Sequence, residues 1–219
     1  MKYILVRGGN EDAAIIAERA GWLYGVRHDY TAYSPVHMLD VRWKNYNWAD
    51  VIEKIKRYQP TMALVPDFES PNQRQEIWDR VGELQALGVP EILVCPKYET
   101  AILDAPDSSV IAISVPAKTY AGYIPPLEQI AGRKIHLLGG SPRRQADLIR
   151  KVNGAKGVMS SLDANGFVRE ASRGKFFKYG RWVQLRDKKH ADIDLAVDSA
   201  INMRRFFESV LQEKQPALF

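Results

Sequence analysis

Short apolar, β-rich runs recur seven times along this chain of 219 residues, at 3–6, 37–41, 62–65, 92–95, 110–115, 135–138 and 157–160. Each is apolar throughout instead of alternating, the pattern of strands covered on both faces. Helical patterns at 11–20, 48–57, 72–87, 126–130 and 142–152 fall between them, and a closing helix is predicted at 192–212. Strands separated by helical crossovers imply a parallel sheet, because antiparallel neighbours need no more than a tight turn. With an eighth strand placed near 182–185, the pattern predicts an α/β fold: a compact (β/α)8 TIM-like barrel, smaller than the roughly 250 residues typical of the class. A doubly wound open sheet is the alternative.

Local chemistry supports several boundaries. Ser70-Pro71 and Ser141-Pro142 each place a capping hydroxyl before a proline suited to the first helical turn. Gly88 follows the helix ending near Leu87, and Pro90 stops its continuation. No repeat or linker interrupts the chain, so residues 1–214 read as one domain, with a basic aromatic segment at 168–190 and a loose tail at 215–219. A 46% apolar composition can supply one substantial core. The single cysteine, Cys95, rules out disulfides within the chain and multi-cysteine metal centres, and reads as a small buried hydrophobe. No apolar run approaches the roughly 20 residues of a membrane span, and the N-terminal residues enter a strand without a leader pattern. A soluble cytoplasmic protein is expected.

Charge is unevenly placed. Arg169, Arg173, Lys175, Lys178, Arg181, Arg186, Lys188 and Lys189 against Glu170 and Asp187 leave +6 in one short segment, and about −1 elsewhere, of the chain's formal +5. Phe176, Phe177, Tyr179 and Trp182 lie among these cations. Such a mixture suits phosphate contact and base stacking, although a solvated surface segment reads the same way.

In a parallel sheet the C-terminal strand ends share one face, and polar residues there gather round one pocket. They are Arg7, Asp40 with Arg42, Asp67, Lys97, Ser114, Gly139 with Gly140, and Asp163 with Asn165. Unpaired charges are costly in a core, so their recurrence at strand ends points to a site. Asp67 is read as a general acid or base, or a carboxylate for purine-like N–H groups, against a structural cap or ion pair. Asp40 either pairs with Arg42 or edges the pocket. Lys97 stands where a Schiff-base or phosphate-binding lysine would stand, against an ordinary surface lysine. His136 reads as a hydrogen-bonded core histidine. Gly139-Gly140 before Ser141-Pro142 can bind phosphate at a helix start or offer N–H groups to a base, or can be only a tight turn. Asp163, with Asn165 and Gly166 behind it, likewise reads as a pocket carboxylate or a turn.

His136-Leu-Leu-Gly-Gly-Ser-Pro142 together with Gly157-Val-Met-Ser-Ser-Leu-Asp163 resembles the tRNA-guanine transglycosylase superfamily, where a glycine turn precedes the strand bearing the nucleophilic aspartate. Val65-Pro-Asp67 resembles the earlier strand-end aspartate of the base pocket. In outline the likeness extends through Asp40-Val-Arg-Trp-Lys44 and Ser114-Val-Pro116, and it is closest to the small virus- and microbe-associated branch acting on 7-deazaguanine in DNA. The family's zinc-binding cysteines and histidine are absent, its aspartate-serine-glycine motif is not recognisable, and the glycine turn is one residue shorter.

The resemblance implies a pentosyltransferase that replaces guanine by a 7-deazaguanine in a polynucleotide, DNA rather than tRNA. Asp163 would be the nucleophile, Asp67 would bind the base or move its proton, and Gly139 and Gly140 would bind its polar edge. Ser141, Lys97, Asp40, Asn165 and Ser114 are expected around the substrate, and Arg169, Arg173, Lys175, Lys178 and Arg181 against the nucleic acid. No metal and no organic cofactor is required, no membrane is involved, and a homo-oligomer is compatible with the pattern. A lysine-dependent lyase or aldolase using Lys97, and a non-catalytic nucleic-acid-binding barrel, are the competing readings.

Overall fold

A computed structural model of the chain describes residues 1–7, 11–42, 44–116, 123–185 and 192–213. Eight strands close in chain order into an all-parallel barrel: β1 (Lys2–Val6), β2 (Leu23–Arg27), β3 (Met38–Asp40), β4 (Met62–Leu64), β5 (Glu91–Val94), β6 (Val110–Ser114), β7 (Lys134–Leu138) and β8 (Val158–Asp163). The barrel therefore replaces the open-sheet alternative. Helices α1 (Glu11–Ala20), α2 (Trp48–Tyr58), α3 (Arg74–Ala86), α4 (Ala101–Asp104) and α5 (Pro142–Gly154) occupy crossovers, while among the described residues between β6 and β7 the helical element is a 3-10 stretch, Leu127–Ile130. Residues 28–37 join β2 to β3 without a helix. These abbreviated crossovers are how a chain of 219 residues completes eight strands.

Two apolar layers hold the wall. Ile4, Val6, Met38, Met62, Leu64, Leu93, Cys95, Val110 and Ala112 fill the barrel, closed by Leu23 and Leu138. Residues of opposite parity, such as Leu5, Leu39, Ala63, Val94, Ile111, Ile113, Ile135 and Leu137, face the helices. The central strands are thus buried on both sides, as the unbroken apolar runs of β4, β5 and β6 imply. Gly25 contributes to the interior by lacking a side chain: a Cβ there would lie 2.9 Å from Val6 Cγ2 and 3.2 Å from the Met38 carbonyl oxygen.

The eighth barrel strand is β2 and not the 182–185 segment. Only Gly21 and Trp22 separate it from α1, and Gly25 interrupts its apolar run, so no sequence boundary announces it. The 182–185 segment instead contributes to β10 (Arg181–Gln184), which pairs antiparallel with β9 (Lys175–Lys178) outside the barrel. This hairpin follows α6 (Gly166–Ala171) and packs on α7 (Ile193–Gln212), whose first turn Asp192 caps by accepting the Leu195 N–H at 3.0 Å. Phe177 lies edge-on to Trp182 and Phe206, and Tyr3 and Trp22 join Phe167 and Phe207 in a second aromatic seam against β1. Residues 214–219 and 186–191 fall outside the described residues, so the tail at 215–219 and the last cations of the basic segment (Arg186, Lys188, Lys189) have no structural account.

One irregularity decides which way β8 points. Ile135 pairs with Met159 but His136 pairs with Ser161, so Ser160 is an inserted bulge residue. The slip brings Ser161 and Asp163 to the barrel interior, opposite His136 and, across the closing seam, Ile4. Because the interior around Gly25 has no spare volume, Gly25→Ala is expected to cost about 1–3 kcal/mol of stability, read as a lower denaturation midpoint without loss of the barrel's circular dichroism signature.

Candidate functional site

At the C-terminal mouth of the barrel a cavity of about 320 Å³ is lined by Asp40, Asp67, Lys97, Ser114, Gly139, Gly140 and Asp163, together with Arg27, Arg42 and the apolar Val41, Leu64, Val115 and Leu138. Groups from β2 through β8 converge there, since parallel strands deliver all their ends to one face. A second cavity of about 480 Å³ shares Arg27, Asp40 and Asp163 with the first and adds Val6, Arg7, Tyr30, Asn165 and Arg169. Ser141 lines neither. Its hydroxyl faces the first turn of α5, accepting from the Arg144 N–H at 3.5 Å.

The glycine pair forms the cavity wall between β7 and α5. Gly139 and Gly140 both have left-handed backbone, with φ of 63° and 89°. A Cβ on Gly140 would fall 2.4 Å from Val115 Cγ1, so only bare main chain can pass there. In this conformation the Gly139 N–H points at β8 and donates to Asp163 Oδ1 at 2.6 Å. His136 Nε2 lies 3.5 Å from the same oxygen, while its Nδ1 meets Ser161 Oγ at 2.8 Å. His136 and Ser161 are fully buried, and fully buried Gln145 of α5 donates to the Asp163 carbonyl at 2.7 Å. Asp163 is therefore fixed by hydrogen bonds at both its carboxylate and its carbonyl, and His136, expected as a core histidine, is hydrogen-bonded to Ser161 beside it.

The other two carboxylates are held differently. Asp67 follows β4 and meets Lys97 Nζ at 3.3 Å, with both side chains largely buried. Burial raises its pKa above the usual carboxylate range, a shift opposed by Lys97 and by the Cys95 thiol. Cys95 itself is buried inside the barrel, and burial raises its pKa too. Asp40 ends β3 directly across from Arg27 of β2. Burial, reinforced by the charges of Asp163 and Asp67 and opposed by Arg27, pushes Asp40 up to about 7. Its facing cation is thus Arg27 and not Arg42, whose backbone N–H donates to His28 Nδ1 at 3.3 Å. Arg27 in turn is clamped by Asp29 at 2.5 and 2.8 Å and lies 4.7 Å from the centre of the Tyr30 ring. Sequence reasoning missed Arg27 because it missed β2; a basic residue ending an LYGVR strand was the available signal.

The basic segment has a structural occupation. Glu170, 6% exposed, receives Arg169 at 3.1 Å, Arg173 at 3.2 Å and Lys175 at 3.0 Å, and Lys175 and Arg169 hold its pKa below the usual range against the cost of burial. Phe177 is core, and Phe176 and Trp182 pack against it. Lys178 stands 5.0 Å from the ring of Tyr179 at the exposed hairpin turn, and Arg181 begins the returning strand. Of the five described cations expected to meet nucleic acid, Arg169 alone lines a mouth cavity. Among the described residues no group of three or more His, Cys, Asp or Glu side chains could hold a metal ion, and no helix is long and apolar enough to cross a membrane.

Fold and site define a compact eight-stranded parallel barrel with three carboxylates around a glycine-walled mouth. Over residues 17–208 the chain matches a family described as a family of unknown function (DUF6610), and it belongs to that family. No curated protein matches it.

The raised pKa of Asp40 makes stability depend on pH in a definite direction. The folded protein holds this proton more tightly than the unfolded chain, so the contribution is fully present below the ordinary aspartate value of 3.8 and is lost as pH rises through about 7. Asp40→Asn, which cannot ionise, is expected to gain stability relative to the parent between pH 4 and pH 7 and to hold a constant difference above about pH 8. Paired denaturant titrations across that window check it.

Proposed function

We propose that the protein is a pentosyltransferase that exchanges guanine for a 7-deazaguanine at a nucleotide of a polynucleotide, DNA in preference to tRNA, with Asp163 as nucleophile. The observation carrying this reading is the meeting of Asp163, Asp67 and Asp40 with the Gly139–Gly140 main chain around one cavity of about 320 Å³. That volume lies at the small end of ligand sites and suits a flat heterocycle.

In the proposed reaction an oxygen of Asp163 bonds to the sugar C1′ while the C1′–N9 bond breaks, and the bonding electrons leave with the base. The Gly139 N–H holds the nucleophile in place, which favours a single attack geometry. Asp40, near 7, carries a proton at neutral pH that it can give to the departing base. Asp67 and the glycine pair face the base's polar edge. Asp40, now a carboxylate, then takes the ring N–H proton of the incoming deazapurine as that nitrogen attacks C1′ and expels Asp163, restoring both carboxyl groups to their starting states. The target nucleotide reaches such a mouth only by leaving its stack.

The imine-forming alternative fits less well. The Lys97 ammonium lies against the Asp67 carboxylate, whereas a nucleophilic lysine needs surroundings that favour the neutral amine. Incorporation of labelled guanine into polymer distinguishes catalysis from mere binding. Asp163→Ala is expected to reduce it at least about 1,000-fold with polynucleotide affinity unchanged, and retained exchange overturns the mechanism. Parent activity should decline as pH rises beyond about 7, and Asp40→Asn should be slower with that decline removed.

A further inference from the structure

The larger mouth cavity has a chemistry unlike its neighbour. Arg7 extends from the end of β1, Arg27 from the end of β2 and Arg169 from α6, so three separate elements aim cations into one basin of about 480 Å³. Its acidic members, Asp40 and Asp163, are the two it shares with the first cavity. The basin is therefore cationic on the side away from the glycine wall.

These arginines differ in how they are held. Arg27 is pre-positioned by its two hydrogen bonds to Asp29 and its seat over Tyr30. Arg169 uses Nε on Glu170, an acid already served by Arg173 and Lys175. Arg7 has no carboxylate within ion-pair distance among the described residues. Asn165, tied to the Val6 carbonyl at 3.3 Å, adds an amide to the same wall. A cluster of guanidinium groups with one rigid member and others only partly engaged is what recognition of a phosphate requires.

We propose that this basin is a phosphate subsite, binding the phosphate attached to the sugar of the nucleotide whose base occupies the adjoining cavity, with Arg7, Arg27 and Arg169 as its ligands. The inference rests on the base-exchange reading for the identity of the neighbour, but the anion chemistry stands on the arginines alone. It assigns the two cavities complementary parts of one ligand, with Asp163 at the junction, where the sugar joins them. It also makes a nucleotide, and not a free nucleoside, the minimal substrate.

Calorimetric titration of the full chain with guanine, deoxyguanosine, deoxyguanosine 5′-monophosphate, a short single-stranded oligonucleotide and inorganic phosphate tests this. The monophosphate is expected to bind about 10- to 100-fold more tightly than the nucleoside, the advantage of one or two charge-assisted hydrogen bonds, and the advantage should shrink as salt is added. Arg7→Gln and Arg169→Gln should each erode that advantage and weaken inorganic phosphate binding while leaving guanine affinity unchanged, with melting curves confirming that both variants fold. An oligonucleotide bound with the same arginine dependence identifies the phosphate as a polymer's, whereas dependence seen with the monophosphate alone identifies a free nucleotide. Equal affinity for nucleoside and monophosphate in the parent protein, with guanine still bound, overturns the subsite and spares the base-exchange reading. Phosphate bound through the arginines without any guanine binding does the reverse.

Discussion

Three carboxylates crowd the mouth of a barrel whose walls are hydrocarbon, and their desolvation and mutual repulsion have to be met by specific partners. The structure meets that demand three different ways. Asp163 takes a main-chain N–H, Asp67 takes a lysine, and Asp40 faces an arginine that another aspartate already engages. Asp40, the least compensated, retains its proton up to about pH 7.

The glycine turn and the β8 bulge form one device. Gly140 must be bare to pass Val115, and the turn it completes aims the Gly139 N–H at Asp163. The bulge at Ser160 in turn brings Asp163 to where that N–H points and stacks Ser161 beneath His136. Each part loses its purpose without the other. Behind the strand, Gln145 ties the same residue's carbonyl to α5, so Asp163 is held through a helix as well as through the glycine turn.

The charge run near the C-terminus shows how composition misleads when a counter-ion is hidden. Counted along the chain, it looks like a surface for phosphates. Folded, much of it encloses the buried acid Glu170, and most of the aromatics between the cations face the core. The arginines that do reach the mouth come mainly from β1 and β2, far away in sequence.

Barrel class, seven of the eight strands and the strand-end residues were legible from local pattern, because unbroken apolar runs separated by helical periods leave a parallel, doubly covered sheet as the economical arrangement. Asp40, Asp67, Lys97, Ser114, Gly139, Gly140 and Asp163 follow from that register once the strands are parallel. Tertiary structure alone decided the rest. β2 hides because Gly25 is chosen for the volume its neighbours leave, a property of the packed interior and not of the segment. The Ser160 bulge, the Arg27–Asp40 confrontation and the capture of three cations by Glu170 all depend on which distant groups meet. Electrostatics and packing act through space, so they leave no periodicity in the sequence to be read.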